Sequence, residues 1–129
     1  MLVKLLDKKS GLQSDEMEVI QEFLKFCQQG HPLKRDVEIH LLGERYGKMT
    51  TGSESLGKIK ILSEGRMLID ILRTISHEWV HEFARQRRIR LQGYNTQSQE
   101  DFANSEAGIM TRAFQKKYPQ YEAIMYNQK

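Results

Sequence analysis

With a single cysteine, Cys27, among its 129 residues, the chain cannot form an internal disulfide. A reducing, cytoplasmic setting is the simplest expectation. Cys27 falls in an apolar stripe at helical spacing, so a buried, inert thiol is expected rather than a nucleophile. Long hydrophobic runs are also missing. No stretch approaches the roughly 20 apolar residues that span a bilayer, which predicts no membrane partner. The opening "MLVKLLDKKSGLQSDE" is too briefly apolar and too soon charged for a signal peptide. Internal repeats, low-complexity tracts and interdomain linkers are absent as well. An excess of one charge is nearly so, at a formal net +3. The densest basic stretch, "RQRRIR" at 85–90, carries no interleaved aromatic residue. It reads as a solvated helix end that complements the helix dipole, and nucleic-acid binding is not expected.

What is present fits one domain, residues 1–129, large enough for a hydrophobic core without staples. "SDEMEVIQEFLKFCQQG" has helical spacing, with Ser14 or Asp15 as cap and Gly30 as stop. "DVEIHLLG" and "KIKIL" alternate and predict strands at 36–42 and 58–62, with a short strand around 49–51 between them. "SEGRMLIDILRTISHEWVHEFARQRR" predicts one long helix, "LQGYNTQSQ" a loop, and "EDFANSEAGIMTRAFQKKY" a further helix that stops near Pro119. A short C-terminal helix follows. The order predicts an α+β domain: an N-terminal helix, a short and mainly antiparallel sheet, then two helices.

One stretch carries chemistry. In "RTISHEWVHEFARQ", His77 and His81 stand four residues apart, about 40° from each other on a helical wheel. Leu68, Leu72, Ile75, Trp79 and Phe83 cluster on the opposite side. The histidines therefore leave the apolar stripe where core histidines would be found. Spacing of one turn aims both imidazoles at one point, where their nitrogens can meet an ion at about 2.0–2.1 Å. Glu78, about 100° round the helix, is displaced from that pair but within reach of a water beside the ion, the position a general base requires. A shuffled chain of this composition would show H-E-x-x-H about once in a hundred, so the spelling alone is a modest signal and its place on an amphipathic helix adds to it.

A catalytic zinc site needs a third protein ligand. No third histidine follows at the spacing of H-E-x-x-H-x-x-G-x-x-H. Glu100 and Glu106 are the candidates, and about 240° of helix separates them, so both cannot face one ion. Glu100 is favoured, because Asn104 lies one turn later on its face and could hydrogen-bond a ligand histidine.

"HEWVH" followed by "EDFAN" resembles the gluzincin metallopeptidases, of which thermolysin is the familiar member, and is similar to the small ImmA/IrrE-type peptidases of bacteria and mobile elements. The resemblance covers residues 70–108. It implies a small zincin-like domain with His77, His81 and Glu100 as zinc ligands, Glu78 as base and Asn104 behind a ligand. It also implies a strand upstream of the active helix whose exposed edge binds an extended peptide, and "KIKIL" stands at the matching place. Lysines guarding an ordinary edge are the competing reading of the same strand. Such peptidases usually steady the oxyanion with a Tyr, His or Arg. Tyr94, Arg112, Tyr118, His31 and His40 are all open for that role.

Two functions follow. The first is a zinc-dependent metallopeptidase acting on a protein or peptide, with Glu78 as general base. The second is a non-catalytic module, with structural zinc or none, that binds a protein or nucleic-acid partner through its basic helix end. An intact Glu78 and the lack of cysteine ligands favour the first. Two histidines and a carboxylate make zinc the default, although iron(II), manganese and cobalt suit the same ligands.

Overall fold

The computed structural model describes residues 2–44, 51–55, 57–87 and 96–127. They form a small α+β domain in which helices cover one face of a four-stranded mixed sheet. Strand β1 (Val3–Lys8) leads into helix α1 (Ser14–Gly30) and strand β2 (Val37–Leu42). Strands β3 (Gly52–Ser55) and β4 (Lys58–Leu62) follow, then helices α2 (Leu68–Arg87) and α3 (Thr96–Lys117). A single 3-10 turn at Pro119–Tyr121 and the short helix α4 (Glu122–Met125) end the described chain.

The sheet corrects the expectation of a mainly antiparallel arrangement. Its order is β1-β2-β4-β3; β1 and β4 both run parallel to β2, and only β3 is antiparallel to β4. The parallel β1–β2 pair requires a long crossover, and the 17 residues of α1 supply it. β1 went unpredicted because "VKLLDK" is short and charged at both ends. Its register, Val3 opposite Val37 and Leu5 opposite Ile39, nonetheless continues the apolar rows of β2. "KIKIL" is a second correction. β4 lies inside the sheet, between β2 and β3, so it offers no free edge to a peptide. The edge beside α2 belongs to β3. The lysines of β4 instead point away from the helices, while Ile59 and Ile61 are fully buried. On that open face Lys4, Glu38 and Lys58 stand in register, and Glu38 is held below the usual carboxylate range, first by its hydrogen bond to His40 and then by these lysines.

Helix α1 spans the predicted residues, but Gln13 rather than Ser14 or Asp15 caps it. The Gln13 backbone N–H donates to Glu16 Oε1 at 3.0 Å, as in a capping box. Helix α2 starts at Leu68, after Gly65 has turned the chain in a left-handed conformation (φ 69°). Helix α3 starts at Thr96, earlier than predicted, so Glu100 lies a full turn inside it. No helix among the described residues is long and apolar enough to cross a membrane.

The core lies between α1, α2, α3 and the covered face of the sheet. Val19, Ile20 and Phe23 of α1 meet Ile39, Leu41, Ile59 and Ile61 of the sheet and Ile75 and Trp79 of α2. Cys27 is fully buried among them, and burial pushes its thiol well above the usual range, as an inert role requires. Phe114 joins α3 to this core, with its ring edge-on to Phe23 at 4.9 Å between centroids. Trp79 donates its indole N–H to the His31 carbonyl at 2.9 Å, which ties α2 to the end of α1.

Phe114 is fully buried, with aromatic neighbours on α1 and beyond Pro119. Phe114→Ala is expected to cost about 3–5 kcal/mol in urea unfolding. A loss below about 1 kcal/mol would mean that α3 is not fastened to the core through this ring.

Candidate metal centre and its cleft

Helix α2 serves two surfaces. Leu68, Leu72, Ile75 and Trp79 are fully buried on the core side, as the wheel predicts. His77 and His81 project from the other side and are only partly buried. Their Nε2 atoms are 3.2 Å apart. The carboxylate of Glu100, carried on α3, reaches both, with Oε2 3.0 Å from His77 Nε2 and Oε1 3.0 Å from His81 Nε2.

The group His77, Glu78 and His81 could hold a metal ion, since one ligand atom from each lies within 4.8 Å of the others. Glu100 competes with Glu78 for the third place, and the distances favour Glu100. A tetrahedron with metal bonds of about 2.0–2.1 Å has edges of about 3.3 Å. The two Nε2 atoms are 3.2 Å apart, close to that edge, and each lies 3.0 Å from a different oxygen of Glu100, whereas Glu78 Oε1 stands 3.9 Å from His77 Nε2. Glu106 points elsewhere. Its Oε2 lies 3.1 Å from His31 Nε2, at the end of α1.

Glu78 is buried to within 8% of its surface. Desolvation, followed by the charges of Glu100 and Glu54, pushes its carboxyl up to about 7. Burial also lowers His81 below its usual value, with the His77 charge acting in the same direction and Glu100 opposing it. The ring is therefore biased towards the neutral form that ligates a metal.

Glu78 forms one wall of a cleft of about 400 Å³ that runs along α2 towards its N-terminus. Strand β3 forms the other side. Gly52 permits the close fit: a Cβ there would sit 2.6 Å from Thr74 Cγ2 and 3.2 Å from Glu78 Cγ. A glycine within a strand can mark this kind of close approach.

The remaining expected residues are placed as follows. Asn104 is exposed and lines the cleft, and it makes no hydrogen bond to either histidine. Its position one turn after Glu100 turns it beside the ligand atoms rather than behind them. Of the oxyanion candidates, Tyr94 lies outside the described residues. His31 is engaged by Glu106 and His40 by Glu38. Tyr118 packs on Phe114 and Tyr121, and Arg112 is exposed on α3 beside Gly108. None of these four lines the cleft.

Two features escaped the sequence reading. One is Arg66, which reaches the cleft wall and donates to Thr74 Oγ1 at 2.7 Å. The residues before α2 gave no sign of it. The other is a polar cluster that fastens β3 to α2. Glu82, fully buried, accepts from the Gly57 N–H at 3.1 Å, from Gln86 Nε2 at 2.7 Å and from Arg85. Arg85 Nε also donates to Glu54 on β3 at 2.9 Å, and the Glu54 and Glu82 carboxyls share a hydrogen bond. The wheel held a clue, since Glu82 falls about 20° from Ile75, within the apolar sector.

No family model, curated protein or solved structure matches this chain.

The Glu54–Glu82 pair gives stability a pH dependence of definite sign. Burial, then the Glu82 hydrogen bond, raises Glu54 from 4.5 to about 7, while its hydrogen bonds to Glu54, Arg85 and Gln86 leave Glu82 below its usual value. Between about 4.5 and 7 the folded chain holds a proton on Glu54 that the unfolded chain has released, so stability falls as pH rises through that window. Glu82 acts in the opposite sense and only below that window, where acid removes its contribution. Glu54→Gln, which resembles the protonated form, is expected to flatten the fall measured by urea unfolding between pH 4.5 and 7. An unchanged slope would contradict the assigned pair.

Proposed function

We propose that this chain is a minimal zinc-dependent metallopeptidase of zincin type. The observation that carries the reading is the meeting of His77 Nε2, His81 Nε2 and Glu100 at tetrahedral-edge distances, with Glu78 beside them at the head of an open cleft. Three protein ligands leave a fourth position open, as catalytic zinc sites require and closed structural sites do not. The resemblance of "HEWVH" and "EDFAN" to gluzincins supports the same assignment.

His77, His81 and Glu100 would hold the metal. Zinc bound there would supply Lewis-acid polarisation of a scissile carbonyl and of a water. Glu78 accepts the proton of the attacking water on its carboxylate and passes it to the leaving amine. Its carboxylate lines the cleft in which the water and the leaving amine would lie, within reach of both. The wall at Gly52 and Thr74 positions the Glu78 side chain by contact. An extended substrate strand has a place to pair along β3, the sheet edge beside α2.

Of the basic helix end that the non-catalytic reading uses, Arg88 and Arg90 lie outside the described residues. Arg85 is engaged by Glu54 and Glu82, and Arg87 lies over the Phe83 ring and donates to the Pro32 carbonyl.

Two substitutions separate ligand from base. Glu100→Ala should weaken zinc binding at least tenfold in a competitive chelator titration, and Glu106→Ala should leave it within about twofold. The reverse order would move the ligand to Glu106. Glu78→Gln should retain zinc and fold, yet lose ~10²–10⁴-fold in the rate of chelator-sensitive peptide cleavage. Cleavage at the parental rate would remove Glu78 from the mechanism, and loss of zinc would make it a ligand.

A further inference from the structure

The end of the cleft away from the ligand atoms is built around an arginine whose charge is not neutralised. Arg66 is half-buried. Its Nη1 donates to the Leu62 carbonyl at 2.8 Å, and its Nη2 donates to the Asp70 carbonyl at 3.0 Å and to Thr74 Oγ1 at 2.7 Å. All three acceptors are uncharged oxygens. The bonds fix the guanidinium in one orientation and engage three of its five N–H groups. The nearby carboxylate of Asp70 is given to Arg73 at 3.1 Å instead. Among the described residues no carboxylate forms an ion pair with Arg66. The cleft wall thus carries two guanidinium groups, Arg66 and Arg73, and two carboxylates, Asp70 beside Arg73 and Glu78 at the end nearer the histidines. A half-buried cation bound only to neutral oxygens keeps much of its attraction for an anion, because little water screens it.

Position relates this charge to the chemistry. Thr74, which Arg66 grips, is one helical turn before Glu78, a rise of about 6 Å along α2. An extended chain advances about 3.3 Å per residue, so a substrate group within two residues of the reacting bond falls beside the guanidinium. Arg66 lies on the N-terminal side of His77, whereas His81 and Glu100 lie on the other. This places it as an anchor for a neighbouring group rather than as a contact to the reacting carbonyl.

We propose that this cleft is a carboxylate-binding subsite, in which Arg66, assisted by Arg73, holds an acidic side chain or the terminal carboxylate of a peptide beside the metal centre. The inference rests on the peptidase reading for the ligand being a peptide. Thr51 lines the same cleft, while the Thr74 hydroxyl donates to the Asp70 carbonyl and holds Arg66 in place. Arg66 is then a specificity-determining residue that acts on affinity, and the chain's substrates carry a carboxylate within two residues of the bond that is cut.

The test uses the full, zinc-loaded chain on a support and a mixture of random, acetylated hexapeptides in two forms, with amidated or free C-termini. Bound peptides are eluted and sequenced. For the amidated set, Asp and Glu should be enriched about tenfold over the applied mixture if a side chain is the ligand. Preferential capture of the free-acid set would identify the terminal carboxylate. Arg66→Gln should abolish either preference, Arg66→Lys should restore part of it, and Arg73→Gln should reduce it about threefold while leaving the Arg66 bonds intact. Arg87→Gln, which removes the same charge away from the cleft, should change nothing. Should Arg66→Gln fail to fold by thermal melting, the Arg66→Lys and Arg73→Gln results decide. Absence of a carboxylate preference, or a preference equal in the parent and the folded variants, overturns the subsite. Because binding is read without turnover, a chain that binds acidic peptides but cuts none would contradict the peptidase and leave the subsite standing. If cleavage is seen, the loss in Arg66→Gln should fall on KM, and a loss confined to kcat would overturn the anchoring role.

Discussion

Two imidazole nitrogens and a carboxylate turn their lone pairs into the same small space, each about 3 Å from the next. A ring N–H donating to the carboxylate accounts for one contact of this spacing, and a cation among the groups would link all of them. A proton can serve one pair, but burial biases His81 against accepting it. A divalent ion serves all three at once. The insertion of Glu100 one turn into its helix and the exposure of both rings on one side of α2 bear on that one cluster.

Holding the cluster open to substrate is a separate demand. Helix α2 buries Trp79 and Ile75 on one side and presents His77 and His81 on the other, so it cannot rotate without losing core contact. Strand β3 must lie close to α2, or Glu78 would stand in open water at an ordinary carboxyl pKa. Gly52 makes the approach sterically possible, and the Glu54–Glu82–Arg85 cluster fastens it one turn farther along the helix. The buried acids of that cluster have no chemistry of their own in this account. Their bonds to the Gly57 N–H and, through Gln86, to the backbone at Lys34 and Arg35 draw two loops onto α2.

Much of this was legible before the structure. The H-E-x-x-H spacing placed two imidazoles on one side of a helix, and the wheel placed the core residues opposite. The distance of Glu106 from Glu100 on the wheel meant that only one could join His77 and His81, and Glu106 instead meets His31. Periodicity could not give what depends on pairing between distant strands. "VKLLDK" and "KIKIL" are both short and carry two lysines each, so composition alone does not separate edge from interior. Both pair with β2, and the further pairing of β4 with β3 makes one an edge and the other interior, which no local signal distinguishes. Asn104 shares the face of Glu100, as the wheel places it, but it lines the cleft and makes no hydrogen bond to either histidine, an outcome of packing that the wheel does not contain. Arg66 was invisible because its role comes from three oxygens of the surrounding fold rather than from a pattern in its own segment.

The central claim is that His77, His81 and Glu100 together bind one metal ion. X-ray absorption at the zinc edge, on protein purified and reconstituted with one equivalent of zinc, tests it directly. The account predicts a shell of two imidazole nitrogens at about 2.0–2.1 Å and carboxylate oxygen at about 2.0–2.2 Å. It also predicts that the imidazole count falls to one in His81→Ala. A spectrum of fully hydrated zinc, or one that the substitution leaves unchanged, would contradict it.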